Sequence, residues 1–180
     1  MLKEDFAAAA GLSKALADKW YDPVERSMME FSIVSPLRAA MFLATIGHES
    51  ADFRYTREIW GPTPTQERYE MRADLGNVKP GDGKRFMGRG LIQITGRANY
   101  AAVSRGLRVD YQSRPEDLER PPDAARASGW WWLNNGCNEI ADTGDFLRVS
   151  IRVNGKNRDG FPNGWADRQR RYKAALAVLG

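Results

Sequence analysis

Two glutamates, Glu49 and Glu58, are the residues of this sequence whose type and spacing suit a shared chemical role. Glu49 follows Ile46 by three residues, so on a helix it shares the face of that apolar position. A carboxyl group held against apolar neighbours favours its protonated form, which a general acid needs near neutral pH. The alternative is a partly exposed glutamate at a helix end, paired with Arg54 or Arg57, and position alone does not decide between the two.

The spacing of the two glutamates sets a condition on the chain between them. A continuous helix would place Glu58 about 13.5 Å beyond Glu49 and on the opposite face. The helix must therefore end soon after Glu49. Residues 50–52 weaken a helix, and the apolar residues of 53–59 alternate as in an extended segment. Glu58 would then face Glu49, and two carboxyl groups about 6.5–9.5 Å apart can hydrolyse a glycosidic bond with inversion.

Helices are the elements that must position this pair, because apolar residues recur mostly at helical spacing. Residues 12–20 predict a short first helix, and Asp22-Pro23 predicts the start of a second. Ser35-Pro36 predicts the start of a helix whose apolar stripe continues to about His48. Three further helices are predicted at residues 123–135, 144–153 and 165–179.

The middle of the chain has a different character. Glycine and proline recur through residues 61–90 and predict a loop-rich region with one helical turn at residues 66–72. Residues 91–95 alternate between apolar and polar, which predicts a strand on the floor of a cleft, with Gln93 and Thr95 facing that cleft. Trp60 and Tyr69 are candidates for a surface on which sugar rings stack. The whole pattern indicates a mainly α fold with little β structure. A cleft between two helical lobes is compatible with it, but periodicity does not show one.

Composition excludes several classes of function. The chain of 180 residues contains one cysteine and one histidine. It cannot assemble the usual zinc-ligand clusters, so we expect no metal. A lone cysteine also forms no internal disulfide. No Gly-x-Ser-x-Gly motif accompanies His48, which argues against a serine hydrolase.

Charge and hydropathy bear on partners and location. The longest uncharged stretch, residues 127–138, contains four polar residues, so no membrane-spanning helix is expected. The apolar run at residues 6–10 is shorter than the ~7–15 residues of a signal-peptide core. The net charge of +4 lies in residues 91–180 and is too small to indicate a nucleic-acid partner. The last predicted helix is basic and has an apolar stripe. This stripe either packs into the core, which we favour, or contacts anionic envelope lipids. The residues of that stripe are Tyr172, Leu176 and Leu179.

Taken together, these glutamates and a longer motif that follows them resemble glycoside hydrolase family 19, which includes plant chitinases and bacteriophage endolysins. The resemblance is carried by His48-Glu49-Ser50, then Glu58, then residues 86–100, which read FMGRGLIQITGRANY. It extends more weakly to residues 153–155 and to Asp167-Arg168, and so covers roughly residues 37 to 175.

The resemblance implies roles for particular residues. Glu49 matches the general acid that protonates the glycosidic oxygen, and Glu58 matches the general base that activates water. Thr95 matches a hydroxyl that helps to hold this water. Four further positions match residues that contact the sugar or a carboxylate. Gln93 and Asn99 match residues that hydrogen-bond N-acetylated sugar, Asn154 a substrate-contacting asparagine, and Arg168 an arginine that engages the second carboxylate.

Two further residues are assigned to the substrate-binding side without a defined role. His48 is expected to orient Glu49 or the helix end by a hydrogen bond. Arg89 is expected to pair either with a carboxylate in the cleft or with the surface.

The sequence also departs from the family pattern. Ala51 and Asp52 replace a Gly-Gly step, and if the bend needs positive φ, aspartate tolerates it better than alanine. Plant members separate their two acids by a much longer loop, so Asp52, Glu67 and Glu70 remain alternative bases.

The resemblance implies a lysozyme-like, two-lobed helical domain over residues 1–180, with N-terminal helices in 1–35, the catalytic core in 36–180 and no separate wall-binding domain. It implies a monomeric endolysin that hydrolyses β-1,4 bonds of peptidoglycan with inversion and without a cofactor. Such an enzyme waits in the host cytoplasm and acts at the cell wall or periplasm after release. The alternatives are a chitinase or a non-catalytic protein that binds wall glycan.

Overall fold

The computed structural model describes residues 1–180 and is almost entirely helical, which confirms the mainly α prediction. The only β pairing consists of isolated antiparallel bridges that join Arg89 to Arg57 and to Ile94. No helix is both long and apolar enough to cross a membrane. The ten helices are α1 (Lys3–Ala10), α2 (Lys14–Glu30), α3 (Pro36–Glu49), α4 (Pro64–Glu67), α5 (Asp82–Arg85), α6 (Arg97–Leu107), α7 (Pro121–Asn134), α8 (Cys137–Asp142), α9 (Phe146–Asn154) and α10 (Trp165–Leu179), with 3-10 turns at Ala73–Leu75 and Pro115–Glu119.

Helix α3 is the centre of the core. Every residue from Ala39 to Gly47 is buried, as expected of a helix that is apolar nearly all round. Helix α10 packs along it, and α1 and α8 contact its other sides. A second contact joins α2 to α7, and both contribute to one continuous cluster of buried apolar residues. The helix that ends in Glu49 is therefore held on several sides.

Side-chain caps explain where α2 and α3 begin. Ser35 is the N-cap of α3, its Oγ accepts from the N–H of Arg38 at 3.3 Å, and Pro36 occupies the first turn. This confirms the predicted start. Ser13 caps α2 in the same way, accepting from the N–H of Leu16 at 3.4 Å.

The predicted helix start at Asp22-Pro23 is wrong, because α2 continues through Pro23. An interior proline costs a helix about 3 kcal/mol or more. Here the apolar stripe spans the proline: Trp20, Val24 and Met28 lie at i, i+4 and i+8 and are all buried. Packing of that stripe against the core keeps one helix where local sequence predicted two.

The later helices agree with the prediction to within about two residues, and α10 agrees at both ends. Four helices were not predicted: α1, α5, α6 and α8. The stripe of α10 packs against the core, as favoured: Tyr172, Leu176 and Leu179 are partly buried there, and Tyr172 lies 4.6 Å from Phe146 between ring centroids.

Residues 61–90 contain only α4, α5 and one 3-10 turn, which confirms the loop-rich interpretation. The helical turn in this region lies at Pro64–Glu67, at the start of the predicted residues 66–72.

Candidate active site

Glu49 is the last residue of α3, and the chain reverses immediately after it. Ala51, Asp52 and Phe53 have φ of 48°, 61° and 62°, a left-handed bend that lets the chain fold back. Phe53 is fully buried and its carbonyl accepts from the indole N–H of Trp20 at 3.1 Å, which fixes the bend from inside. The helix therefore ends where the spacing of the two glutamates requires it to end.

A buried arginine holds Glu49 in place. Arg168 Nη2 donates to Glu49 Oε1 at 2.5 Å, and Arg168 Nε donates to the carbonyl of Asn163 at 2.9 Å. The Arg168 side chain is 1% exposed and that of Glu49 is 16% exposed. Neither Arg54 nor Arg57 is the partner of Glu49. The expectation that Arg168 engages the second carboxylate is wrong, because α10 directs its guanidinium to the end of α3.

Two atoms of this pair remain free. Glu49 Oε2 makes no hydrogen bond within the protein, so it can donate to or accept from a ligand. Arg168 Nη1 is buried and also has no partner. A buried unpaired donor is costly, and it adds polarity directly beside Glu49.

An ionic network joins the end of α3 to α10 around this pair. His48 Nδ1 lies 2.7 Å from Asp167 Oδ2, so His48 does form the expected hydrogen bond, although with Asp167. Arg171 donates to Asp167 and to Asp52, both at 2.6 Å. Burial alone would raise the pKa of Asp167, but hydrogen bonds from Arg171, His48 and Arg170 hold it well below its ordinary value. His48, before the bend, and Asp52, within it, are therefore both tied to α10, the helix that carries Arg168.

Glu58 lies on an extended segment and is held by a glycine. The N–H of Glu58 donates to the carbonyl of Gly88 at 2.9 Å, and the N–H of Gly88 donates to Glu58 Oε2 at 3.2 Å. The Tyr69 hydroxyl donates to Glu58 Oε1 at 3.3 Å. Burial and, after it, the negative charge of Glu58 raise the pKa of Tyr69. The alternation predicted for residues 53–59 does not describe their burial, because Tyr55 is 50% and Ile59 73% exposed.

None of the other candidate bases contacts the glycine-rich motif, and two of them are engaged elsewhere. Asp52 binds Arg171, as described above. Glu70 accepts from the N–H groups of Gly81 and Gly83 at 2.5 and 3.0 Å, which organises the turn before α5. Glu67 is exposed and makes no side-chain hydrogen bond. Glu58 is thus the candidate whose carboxylate contacts the glycine-rich motif.

Gln93 and Thr95 lie against Gly88, although not on a strand. Residues 91–93 form a turn, and Gln93 has a φ of 59°, so the predicted floor strand is wrong. A Cβ atom on Gly88 would lie 2.6 Å from Gln93 Oε1 and 3.2 Å from Thr95 Oγ1. Because Gly88 has no side chain, the side chains of Gln93 and Thr95 can approach its backbone, which is the backbone that holds Glu58. The predicted inward side of this segment is nevertheless correct, because Ile92 and Ile94 are buried.

Arg89 is buried within the loop rather than directed to a ligand. Its side chain is 8% exposed and donates to Glu119 at 2.8 Å, to the Tyr100 hydroxyl at 3.0 Å and to the carbonyl of Arg85 at 2.8 Å. Tyr100 in turn donates to the carbonyl of Met87 at 2.8 Å. Arg89 therefore organises the glycine-rich loop. Of its two expected partners it has the carboxylate, because Glu119 also lines the groove that opens beside Glu58.

A groove of about 580 Å³ opens beside Glu58. Its walls come from the extended segment, from the end of α5 and from the second 3-10 turn. Trp60 lies in this wall, with its ring centroid 6.3 Å from that of Tyr69. The lining residues are Arg54, Tyr55, Thr56, Arg57, Glu58, Ile59, Trp60, Lys84, Met87 and Glu119.

The two remaining asparagines hold backbone. Asn99 is exposed at the start of α6 and donates to the carbonyl of Thr95 at 2.8 Å. Asn154 ends α9 and accepts from the N–H of Asn163 at 2.9 Å, which joins it to the loop before α10. Both side chains thus border residues of the site. No three His, Cys, Asp or Glu side chains are grouped so that they could hold a metal ion.

Sequence reasoning missed the residues that support the site from behind. Asp167 and Arg171 were not assigned, although their i, i+4 spacing on a predicted helix is a recognisable ion-pair signal. Tyr69 was considered only for stacking, whereas its hydroxyl binds Glu58. Glu119 carried no signal, because its partner Arg89 lies 30 residues away.

These features define a helical protein in which Glu49 ends a buried helix and Glu58 lines a groove of about 580 Å³. Comparison with known proteins identifies the class. A Haemophilus influenzae protein described as glycosyl hydrolase family 19 domain-containing is 32% identical over 186 residues, covering 88% of each chain. An endochitinase of Arabidopsis thaliana is 31% identical over 127 residues, which cover 71% of this chain and 42% of the plant protein. The chain thus spans less than half of that plant chitinase. No family model matches the chain.

The fold agrees with that of a solved bacterial enzyme. Chitinase C from Streptomyces griseus superimposes with a TM-score of 0.75 and 21% identity, over 99% of this chain and 76% of that one. At that identity the likeness shows the fold, which is the lysozyme-like helical fold. The chain is a glycoside hydrolase. It belongs to glycoside hydrolase family 19.

Proposed function

We propose that this enzyme hydrolyses β-1,4-glycosidic bonds of bacterial peptidoglycan by an inverting mechanism, in which Glu49 is the general acid and Glu58 the general base. One observation carries the proposal: α3 ends at Glu49 in a left-handed bend, and the returning chain places Glu58 on Gly88 of the glycine-rich motif beside the groove. Each carboxylate has its own support, and no other acid shares the contacts of either.

The proposed reaction is a single displacement. Glu49 gives a proton to the glycosidic oxygen as the bond to the anomeric carbon breaks, and a water molecule attacks that carbon from the opposite face. Glu58 takes a proton from this water. Thr95 holds the water, and Trp60, Gln93, Asn99 and Asn154 contact the sugar. His48 and Arg168 act as positioning residues for Glu49.

We further propose that the chain is one catalytic domain that works as a monomer without a cofactor. Its biological role is that of an endolysin, which is held in the host cytoplasm, released to the wall and lyses the cell. A second candidate is chitin hydrolysis, which is favoured by the name of the Arabidopsis relative, an endochitinase. Both substrates are β-1,4-linked polymers that contain N-acetylglucosamine, so the same two carboxylates serve either.

The test measures reducing ends released from purified peptidoglycan and from colloidal chitin at equal enzyme concentration. The proposal expects faster release from peptidoglycan, and loss of hydrolysis on both substrates in Glu49→Gln with the helical circular dichroism unchanged. Glu4→Gln, a change of the same type on α1, is the control and retains activity. Clear preference for chitin would replace the first candidate by the second, and unchanged turnover of Glu49→Gln would reject Glu49 as the acid.

A further inference from the structure

The groove beside Glu58 carries an excess of positive charge that the catalytic proposal does not use. Three of its lining side chains are cations: Arg54, Arg57 and Lys84. Arg54 lies in the turn after α3, Arg57 on the extended segment that bears Glu58, and Lys84 on α5. We name these three residues the cationic wall.

The cationic wall is not neutralised within the protein. Arg54 and Lys84 are exposed and make no salt bridge. Arg57 is 60% exposed and its nearest acid, Glu119, lies 3.7 Å away. Glu119 is already bound by the buried guanidinium of Arg89 at 2.8 Å, so most of its charge is compensated from the interior. Within the groove, the three cations therefore face Glu58 and only that part of the Glu119 charge that Arg89 leaves uncompensated.

Unpaired cations in a groove focus a positive potential on whatever the groove binds. A neutral polymer would gain little from that potential and would leave the cations uncompensated. A polymer that carries carboxylates beside its sugar rings would gain ion pairs along the wall. Chitin bears no charge. Peptidoglycan carries a lactyl ether on alternate sugars and, through it, stem peptides with free carboxylates.

We infer that the cationic wall binds the carboxylates of the peptide-bearing side of peptidoglycan and so selects the anionic glycan over neutral glycans. This inference rests on the proposed function, because it names the part of that substrate that a second set of residues recognises. Arg54 and Lys84 are the specificity-determining residues, since they have no other partner. The carboxylates bind at the wall while the glycan backbone passes Glu58.

The test compares two substrates with the same glycan backbone. One is native peptidoglycan, and the other is peptidoglycan whose carboxylates have been converted to amides with a carbodiimide and ammonia. The wild-type enzyme is expected to cleave the native polymer about tenfold faster at low substrate concentration and low salt, since two or three surface ion pairs are at stake. Arg54→Gln/Lys84→Gln is expected to cleave both polymers at about the rate that the wild type shows on the amidated one. Its circular dichroism and thermal midpoint report whether the fold is kept.

A matched control removes two cations elsewhere. Arg105→Gln/Lys173→Gln makes the same change in net charge on α6 and α10, outside the groove, and is expected to keep the tenfold preference. A wild-type enzyme that does not distinguish the two polymers would overturn the inference while leaving the proposed function intact. Equal losses on both polymers in the groove variant would also overturn it, because they indicate a structural role. A wild-type enzyme that cleaves chitin and neither form of peptidoglycan would reject the proposed function together with the inference.

Discussion

Glu49 lies at the end of a buried helix of 14 residues, whereas Glu58 lies on an extended segment whose neighbours Tyr55 and Ile59 are exposed. Glu49 is held by the charged side chain of Arg168, which α10 carries through the interior. Glu58 is held by a backbone N–H group and by one phenol hydroxyl. One end of the site is thus fixed by helix packing and ion pairs, and the other by hydrogen bonds to a loop.

The two supports differ in what they tolerate. The support of Glu49 relies on a guanidinium that is only 1% exposed, so removal of Glu49 leaves a buried charge uncompensated and removal of Arg168 leaves Glu49 without its cation. The support of Glu58 uses neutral donors at 3.2 and 3.3 Å, which a different acceptor can still satisfy. Substitutions near Glu49 should therefore cost both stability and activity, while substitutions at Glu58 should cost activity alone.

The largest effect on activity at the Glu58 end is expected from Glu58→Gln. An amide oxygen can still accept from Gly88, but it cannot take a proton from water, so kcat should fall about 10²–10⁴-fold. Thermal unfolding should change little. The comparison is made by measuring release of reducing ends beside Glu67→Gln, which alters an exposed glutamate and should behave as wild type. A fall in kcat of less than about tenfold would remove Glu58 from the role of base.

At the other end, Arg168→Leu should lower both activity and stability. The substitution strands Glu49 and opens the hydrogen bond to Asn163, so the free energy of unfolding should fall by about 3–5 kcal/mol. Urea titration followed by circular dichroism measures this fall, and kcat is measured at a temperature at which the variant stays folded. Should the loss of stability be under 1 kcal/mol, on the order of a surface ion pair, the contrast between the two supports would not hold.

A second partly buried ion pair joins Asp82, in the loop-rich region, to Arg97. Its contribution to stability can be measured through the pH dependence of unfolding. Hydrogen bonding from Arg97, together with the N–H groups of Val78 and Lys79, lowers the pKa of Asp82 to about 2. Because the folded-state pKa lies below the unfolded value of 3.8, the stabilisation is complete above pH 4 and is lost as pH falls through about 2. Asp82→Asn should therefore cost about 2 kcal/mol at pH 7 and show a flatter dependence of stability between pH 4 and 2.

Unfolding curves of wild type and Asp82→Asn across that pH range provide the measurement. Asp74→Asn, at an exposed aspartate paired with Arg72, should leave the wild-type pH dependence in place. Parallel curves for wild type and Asp82→Asn would show that the pair contributes nothing to acid stability, and that the loop-rich region depends on its other contacts.

The smallest effect is expected from Gly88→Ala. The new Cβ would meet the end of the Gln93 side chain at 2.6 Å, and this flexible side chain can move away. Stability should change by no more than about 1 kcal/mol, while kcat falls about tenfold, because the groups around Glu58 shift. The same substitution made in a Gln93→Ala background should have little further effect. An equal loss in both backgrounds would show that Gln93 is not the side chain displaced.

Local sequence predicted the Glu49 end of the site well and the Glu58 end less well. Ser35-Pro36 and the apolar run after it are local signals, so the helix and its end at Glu49 could be predicted. The bend at residues 51–53 was anticipated as a condition, and it does need positive φ, at Ala51 and Phe53 as well as at Asp52. The partner of Glu49 could not be predicted correctly, because Arg168 lies 119 residues away and helix packing decides its direction.

Where prediction failed, tertiary contacts outweighed local pattern. Pro23 was interpreted as a helix start, but buried residues on both sides keep α2 continuous. Residues 91–95 alternate like a strand, yet no second strand is available there beyond single bridges with Arg89, and the chain turns at Gln93. The pattern still indicated which side chains face inward, because Ile92 and Ile94 are buried in either conformation.

The central claim is that Glu49 and Glu58 act from opposite faces of one sugar ring, and the configuration of the new reducing end tests it most directly. Proton NMR during the first minutes of glycan hydrolysis, before mutarotation, distinguishes the two anomers. With inversion, cleavage of a β-1,4 bond releases the α-anomer first. Initial release of the β-anomer would mean retention through a covalent intermediate, and it would contradict the division of roles between the two glutamates.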